Sequence, residues 1–222
     1  LGKPMILWAA ELSARALGIE NVYVATEDMR IQEVVEGAGF KSVMTSSNAL
    51  TGTDRLAEAA LKIDADIYIN VQGDEPLVNP LDILKVRDMK QLHMSKIVNG
   101  YSWLTEDEDP CSINIPKVIT NENDHLVYMS RSSLPAYKDA KYAPTRYKKQ
   151  VCIYAFTREE LQSFSDFGRK SRLEQCEDIE ILRFLELNKI VLMMETQPGS
   201  LAVDVPGDVP LVEAALKRIH SL

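Results

Sequence analysis

The sequence predicts a three-layer α/β fold whose core is a mostly parallel, doubly wound sheet. Short β-rich runs alternate with helical patterns in the first third of the chain, which is typical of parallel strands joined by right-handed crossovers. The 222 residues, 45% of them apolar, suffice for one large core, so we predict a single domain over residues 1–222. In the run Ile67–Pro76, a buried strand ends directly in two carboxylates.

The elements of the first third follow the alternation that this fold requires. A helix begins at Pro4, because proline suits the first helical turn. The β-rich run Val22–Ala25 and the helical pattern of residues 31–38 form one βα unit. A second strand, Ser42–Met44, leads through a polar loop to a helix that starts near Thr53, whose hydroxyl can cap it. Because doubly wound domains usually open with a strand, we expect an N-terminal strand and its loop to be absent from this sequence.

Beyond about residue 96 the pattern changes to strands without long helices. We predict an antiparallel insertion at about 96–156, with the polar stretch 138–149 as a surface loop. Its strands are Ile97–Val98, Lys117–Ile119, Leu126–Met129 and Val151–Phe156. The chain then returns to the first pattern with helices over Arg158–Phe164, Leu173–Leu187 and Val209–Ile219, and a strand over Ile190–Met193.

Composition excludes several function classes. The formal charge of −8 argues against a sequence-independent grip on nucleic acid, which needs a basic surface. The three cysteines and three histidines are scattered, so neither a zinc site nor a Ser/His/Asp triad is supported, and we expect free thiols in a reducing cytoplasm. No apolar stretch is long enough to span a membrane, and no signal peptide is visible.

Two aspartates follow apolar runs at points where strands are predicted to end. Asp74 lies in Val71-Gln72-Gly73-Asp74-Glu75-Pro76, and Asp204 lies in Val203-Asp204-Val205-Pro206. Open α/β sheets bind ligands at the carboxyl ends of their strands, and Mg²⁺ prefers carboxylate oxygens and substrate phosphates. Asp74 and Asp204 are therefore candidate catalytic residues and metal ligands. The alternatives are a solvated turn before Pro76 and a simple turn or cap at Asp204.

The loop Leu50–Arg55 places a glycine, hydroxyls and a guanidinium at a predicted helix N-terminus. Backbone N–H groups at such a terminus favour anions, although the hydroxyls could serve only as caps. Arg131 ends a predicted strand, and its planar fork matches a carboxylate, the alternative being a surface salt bridge.

The acidic segment Leu173–Glu180 is the last candidate. Helical spacing places Glu174, Glu177 and Asp178 on one face, which is typical of a solvated surface. Glu180 and Arg183 are also three residues apart and could form a surface ion pair.

Taken together, these segments resemble the bacterial CMP-KDO synthetases, the 3-deoxy-manno-octulosonate cytidylyltransferases. The pieces that carry the resemblance occur in family order along the whole chain. They are Gly2-Lys3-Pro4-Met5-Ile6, Val24-Ala25-Thr26-Glu27-Asp28, Met44-Thr45, Gly52-Thr53-Asp54-Arg55-Leu56-Ala57-Glu58, Val71-Gln72-Gly73-Asp74-Glu75-Pro76, Tyr128-Met129-Ser130-Arg131, Ile153-Tyr154-Ala155-Phe156, Leu173-Glu174-Gln175 and Val203-Asp204.

The resemblance implies transfer of CMP from CTP to the anomeric hydroxyl of a sugar acid, with Mg²⁺ as cofactor and release of pyrophosphate. It also implies a cytoplasmic homodimer, built through the antiparallel segment, that serves lipopolysaccharide biosynthesis. By this resemblance Asp74 and Asp204 hold the metal. The implied nucleotide contacts are Thr51, Gly52, Thr53, Arg55 and Gln72, and the implied sugar contacts are Arg131, Gln150, Tyr154, Glu174 and Glu177.

The sequence departs from the family pattern in three places. Where the family has His-x-Gly-Ile-Tyr, this chain has Gln150-Val151-Cys152-Ile153-Tyr154, and where it has Glu-Gln-Leu-Arg, this chain has Glu180-Ile181-Leu182-Arg183. Both segments are associated with the sugar, so a different acidic sugar is an alternative substrate. The family's triphosphate loop, Arg-x-x-Ser-x-Arg-x-x-Gly-Lys, is represented only by Gly2-Lys3, which leaves a catalytically silent nucleotide-binding protein as a further alternative.

Overall fold

The computed structural model describes residues 1–203 and 205–220. The helices are α1 (Met5–Leu17), α2 (Met29–Gly37), α3 (Gly52–Ala60), α4 (Pro80–Leu92), α5 (Arg158–Ser165), α6 (Arg172–Glu177), α7 (Leu182–Glu186) and α8 (Val209–His220). The strands are β1 (Tyr23–Thr26), β2 (Lys41–Met44), β3 (Tyr68–Val71), β4 (Ile97–Trp103), β5 (Lys117–Thr120), β6 (Leu126–Ser130), β7 (Lys148–Phe156) and β8 (Val191–Glu195).

Helices cover both faces of the main sheet, and the alternation of side chains along β7 shows why. Ile153 and Ala155 point to one face, where they pack with residues of α1 and α4. Tyr154 and Phe156 point to the other face, where they pack with α3, α5 and α7. Successive strand residues face opposite sides, so one strand contributes to two cores. The predicted α/β class with flanking helical layers is confirmed.

The sheet itself is mixed. β1 pairs with β2 in a separate two-stranded parallel sheet. In the six-stranded main sheet β4 pairs with β8 in parallel, whereas β7 is antiparallel to β3, β4 and β5. The strand order is β6-β5-β7-β4-β8, and β3 lies against β7. The predicted antiparallel insertion at about 96–156 is therefore not a separate unit. β7 spans nine residues, so its first part pairs with β5 and its last part pairs with β3, which joins the segment to the main sheet.

Two helical predictions need correction. The predicted helix Leu173–Leu187 is interrupted, because Asp178 adopts a left-handed conformation with φ of 52° and separates α6 from α7. The sequence analysis also missed α4, although Asn79 caps it by accepting from the Leu81 N–H and Pro80 opens its first turn. An Asn-Pro pair before a helical pattern is the signal that could have predicted α4.

The described helices are too short to cross a membrane. The longest, α1 and α4, have 13 residues each. A membrane-spanning helix needs about 20 predominantly apolar residues. In the part of the chain that the structure describes, no helix combines the length and the apolar character to cross a bilayer.

Candidate active site

A cavity of about 530 Å³ opens where β3 ends. Its walls come from the residues before α3, the end of β3, the strand β7 and the turn between α6 and α7. Seven of the residues predicted from the sequence line it: Thr51, Gln72, Asp74, Arg131, Gln150, Tyr154 and Glu174. The fold therefore gathers side chains that are up to 123 residues apart (174 − 51) around one space.

Four other predicted residues do not line the cavity directly. Gly52 and Thr53 lie in the first turn of α3, and a Cβ at Gly52 would come within 3.6 Å of Gln72 Nε2. The Arg55 guanidinium pairs with Glu27 at 2.6 Å and donates to Thr45 Oγ1 at 2.7 Å, so it is engaged elsewhere. Glu177 accepts hydrogen bonds from the Ser130 hydroxyl and the Arg131 N–H and does not line the cavity. Asp204 lies outside the described residues.

The helix α3 is capped by Thr51 and not by Thr53. The Thr51 hydroxyl accepts from the Asp54 N–H at 3.2 Å, and it donates to Asp54 Oδ2 at 2.9 Å. This cap satisfies a backbone donor that the first turn would otherwise leave unpaired. Capping and cavity lining are thus combined in one residue, Thr51.

The two acidic residues that follow β3 both line the cavity, but Glu75 is otherwise buried. Asp74 lines the cavity, and its backbone carbonyl accepts from the Val203 N–H at 2.9 Å. Glu75 is only 4% exposed, and its carboxylate accepts from the Ser200 hydroxyl and from the Cys152 N–H. Burial raises the pKa of Glu75, whereas those hydrogen bonds act in the opposite direction. The alternative of a solvated turn is wrong for Glu75.

A fully buried arginine holds two of the walls together. Arg183 donates from Nη1 and Nη2 to Asp54, at 2.8 and 3.1 Å, and from Nε and Nη2 to Glu174, at 2.7 and 2.6 Å. It is 0% exposed, so the suggested surface ion pair with Glu180 is wrong. We call Asp54, Arg183 and Glu174 the Arg183 cluster. Charge-assisted, two-pronged hydrogen bonds of this kind fix geometry, so the cluster sets the position of α3 against α6 and α7.

Arg131 lines the same cavity and is held in place by backbone carbonyls. Its guanidinium donates to the backbone carbonyls of Glu177, Ile113 and Asp178 at 2.6, 2.8 and 3.1 Å. A guanidinium has five N–H groups, so one on each terminal nitrogen remains for a ligand. The Glu177 carboxylate accepts from the Arg131 N–H and the Ser130 hydroxyl, at 2.9 and 2.7 Å. Although burial opposes it, these hydrogen bonds lower the pKa of Glu177.

Two predicted residues of β7 form a hydrogen-bonded pair on the cavity floor. Gln150 Nε2 lies 3.1 Å from the Tyr154 hydroxyl and 3.3 Å from Asn99 Oδ1. Burial raises the pKa of Tyr154 well above its usual value, and it does the same for the neighbouring Cys152 thiol. Both groups therefore stay protonated and neutral near pH 7.

Several charged residues that line the cavity were not predicted as site residues, among them Lys149 and Glu180. Lys149 is nearly buried in the wall and pairs with Glu108. Lys149 shares one face of β7 with Val151 and Ile153, and this two-residue spacing could have indicated that it points inward. Glu180 follows the break after α6, and it accepts from the Thr53 N–H at 3.0 Å and from Gln72 Nε2 at 2.9 Å. The uninterrupted helix that we predicted could not have placed Glu180 there.

Comparison with known proteins shows the family to which the chain belongs. Residues 1–193 match the profile of the family described as "Cytidylyltransferase". The chain belongs to the cytidylyltransferase family. Two relatives are named as cytidylyltransferases of octulosonates, the class of enzyme that the sequence motifs resemble. This cytidylyltransferase is 36% identical over 222 residues to the 3-deoxy-manno-octulosonate cytidylyltransferase of Escherichia coli, covering 98% of this chain and 87% of that protein.

The second relative and a solved structure extend the comparison. The chain is 37% identical over 223 residues to the 8-amino-3,8-dideoxy-manno-octulosonate cytidylyltransferase of Shewanella baltica, covering 97% of this chain and 89% of that protein. Its fold matches that of a CMP:2-keto-3-deoxy-manno-octonic acid synthetase complexed with CTP, with a TM-score of 0.89 and 33% identity over 98% of this chain and 89% of that chain. The predicted family resemblance is confirmed.

The donor set at the end of β3 is compatible with Mg²⁺. Among residues 1–203 and 205–220, no group of three or more His, Cys, Asp or Glu side chains could hold a metal ion by itself. Mg²⁺ usually needs only one or two carboxylates, since waters and substrate phosphates complete its shell. Asp74 in the cavity wall therefore fits a metal that is shared with a bound nucleotide.

Proposed function

We propose that this cytidylyltransferase transfers CMP from CTP to the anomeric hydroxyl of 3-deoxy-manno-octulosonate (KDO) and releases pyrophosphate. One observation carries the proposal: Gln72, Asp74 and Arg131 all line a single cavity. The match to a synthetase complexed with CTP supports the nucleotide. The Escherichia coli relative supports the sugar acid.

The reaction forms a bond between the sugar oxygen and the α-phosphorus and breaks the bond from that phosphorus to the leaving pyrophosphate. The hydroxyl proton is released. Such a displacement depends on alignment and on neutralised charge, and it requires no protein nucleophile. Asp74 and Asp204 would hold Mg²⁺, which would supply positive charge to the phosphate oxygens. Thr51, Gly52, Thr53 and Gln72 stay the proposed nucleotide contacts, whereas Arg55, which bonds Glu27 and Thr45, would act by holding the loop before α3 in place.

On the sugar side, Arg131 would bind the carboxylate through its two remaining N–H groups. Its three bonds to backbone carbonyls prevent reorganisation when the ligand arrives. Gln150 and Tyr154 would contact sugar hydroxyls. Glu174 and Glu177 belong to the same proposed pocket, and their existing hydrogen bonds suit them to support Arg183 and Arg131.

A second candidate substrate is the 8-amino-3,8-dideoxy analogue of KDO. The 37% identity to the Shewanella baltica relative favours it. So do Gln150 and Cys152, which replace the histidine and glycine of the family pattern beside Tyr154. An amide in place of an imidazole removes a side chain that can take up a proton beside the sugar.

Measuring pyrophosphate release with CTP, Mg²⁺ and a panel of sugar acids tests these proposals. The panel contains KDO, its 8-amino-3,8-dideoxy analogue and a nonulosonic acid. Release with KDO at the highest kcat/KM supports the first proposal, and a preference for the analogue supports the second. No release with any sugar acid would contradict both.

We further propose a cytoplasmic homodimer that acts in lipopolysaccharide biosynthesis and has no nucleic acid or membrane partner. Support for a dimer comes from exposed apolar side chains on the 96–156 segment, among them Ile113 and Tyr142, which are 70% and 73% exposed. Light scattering of the purified protein tests the oligomeric state. A monomeric mass at micromolar concentration would contradict the dimer.

Substitution of Arg131 by Lys tests the sugar pocket. We expect a rise in KM for the sugar acid of about 10-fold to 100-fold with little change in KM for CTP, because an ammonium cannot form the two-pronged bond to a carboxylate. Steady-state kinetics with each substrate varied separately measures both constants. The control is R158K, since Arg158 pairs with an exposed aspartate away from the cavity. Equal rises in the two KM values would contradict the assignment.

A further inference from the structure

Glu180 bridges two of the proposed nucleotide contacts, Thr53 and Gln72. Its Oε2 accepts from the Thr53 N–H at the start of α3, and its Oε1 accepts from Gln72 Nε2 beyond the end of β3. The same side chain lines the cavity. Through these two hydrogen bonds Glu180 can fix the orientation of the Gln72 side chain relative to the start of α3.

These two bonds determine which end of the Gln72 amide faces the cavity. The Thr53 backbone N–H can only donate, so it requires an acceptor at Glu180 Oε2. The other carboxylate oxygen is likewise an acceptor, so it selects the NH₂ end of the Gln72 amide. Within the described residues, no donor reaches Gln72 Oε1, and Gln72 lines the cavity. The amide carbonyl is left as the group available to a ligand.

We infer that Glu180 is a positioning residue that holds Gln72 with its side-chain carbonyl turned into the cavity, where it accepts a hydrogen bond from a substrate N–H or O–H group. This inference rests on the proposed function. Two substrate groups have the required chemistry: the exocyclic amine of cytosine and a hydroxyl of the sugar acid. Uracil carries a carbonyl oxygen in place of that amine, so UTP distinguishes the two sources.

Substitution of Glu180 by Gln should reverse the amide of Gln72. The new amide at position 180 must still turn its oxygen towards the Thr53 N–H, so its NH₂ group faces Gln72. Gln72 then has to present its carbonyl to position 180 and its NH₂ group to the cavity. A donor replaces an acceptor at the ligand, which leaves an unfavourable contact with any substrate N–H group.

The double variant Q72E/E180Q exchanges the two side chains and keeps the net charge of the protein. The carboxylate at position 72 accepts from the amide at position 180 with one oxygen and offers its second oxygen to the cavity. The acceptor is restored, so the double variant should regain what E180Q loses. A purely structural role for Glu180 predicts no such rescue.

The experiment compares wild type, E180Q, Q72E/E180Q and the control E186Q. Glu186 also accepts a backbone N–H, from Leu173 at 2.9 Å, but it does not line the cavity. Calorimetry gives Kd for CTP, UTP and KDO without turnover, and pyrophosphate release gives kcat and KM. Thermal melting confirms that each variant is folded.

If Gln72 contacts the base, E180Q should lower the preference for CTP over UTP by about 10-fold or more, the value of a reversed hydrogen bond. If Gln72 contacts the sugar, Kd and KM for KDO should rise by a similar factor with the CTP preference unchanged. In either case Q72E/E180Q should recover to within about 3-fold of wild type, and E186Q should match wild type.

Unchanged CTP preference and unchanged KDO affinity in E180Q would overturn the inference. So would a loss that Q72E/E180Q fails to rescue, and so would a wild type that binds none of the three ligands. Failure of the proposed function has a different signature, since wild type would then bind ligand and respond to E180Q but release no pyrophosphate.

Discussion

Replacing Asp74 by Asn should lower kcat for pyrophosphate release by about 100-fold or more, because each charged group aimed at a reacting centre commonly contributes that much. Asp74 occupies the cavity wall at the end of β3, where its carboxylate would share Mg²⁺ with the CTP phosphates. An asparagine keeps the size of the side chain and removes its charge. The metal would be held less tightly, so part of the activity should return when Mg²⁺ is raised.

The Mg²⁺ dependence separates this cause from a folding defect. Initial rates are measured across a Mg²⁺ titration at saturating CTP and sugar acid. The control is D88N, which makes the same change at an exposed aspartate that pairs with its neighbour on α4. A D74N variant with the kcat and the Mg²⁺ midpoint of wild type would contradict the assignment of Asp74 as a metal ligand.

The position of Asp74 could be predicted because its signal is local. A β-rich run, then Gly73 and Pro76, indicates where a strand ends, and ligand sites lie at strand ends in α/β sheets. The structure places Asp74 in the cavity accordingly. Glu75 has the same neighbours in the sequence, yet its side chain lies in the interior beside Ser200. Only the tertiary structure brings residue 200 to that point.

The roles of the charged residues on α6, on α7 and in the turn between them could not be predicted in the same way. Helical spacing assigned Glu174 and Glu177 to a solvated face, but a single left-handed residue, Asp178, ends α6 and turns the chain inward. Aspartate tolerates that conformation better than most residues, although its presence does not require it. Glu180 and Arg183 consequently face the interior, where their partners come from α3.

The prediction of a mostly parallel sheet holds only in part, for a related reason. Alternation of strands and helices predicts parallel neighbours, and it holds for β1 with β2 and for β4 with β8. β7 enters the sheet between β3 and β4 in the opposite direction, and it does so after a long excursion through β5 and β6. The pairing partners of β7 are set by contacts between residues that are far apart in the sequence, and neither hydrophobic periodicity nor strand propensity encodes such contacts.

Substitution of Arg183 by Met should have the largest effect on stability. We expect the free energy of unfolding to fall by about 3–5 kcal/mol, because the Asp54 and Glu174 carboxylates would remain in the interior without their cation. Urea denaturation at pH 7 measures the change. The control is R87M, since Arg87 is partly exposed and pairs only with the exposed Asp88 beside it on α4, so removal of that pair should cost about 1 kcal/mol or less.

A charge-free version of the Arg183 cluster shows whether the loss comes from stranded carboxylates. The triple variant D54N/E174Q/R183M removes both negative charges together with the positive one, so it should recover part of the stability that R183M loses. Activity should not recover with it, because Thr51 and the α6–α7 turn depend on the directed bonds of Arg183 for their positions. Equal stabilities for R183M and wild type would show that the cluster does not hold α3 against α6 and α7. Equal activities for R183M and wild type would show that the cavity keeps its geometry without the Arg183 cluster.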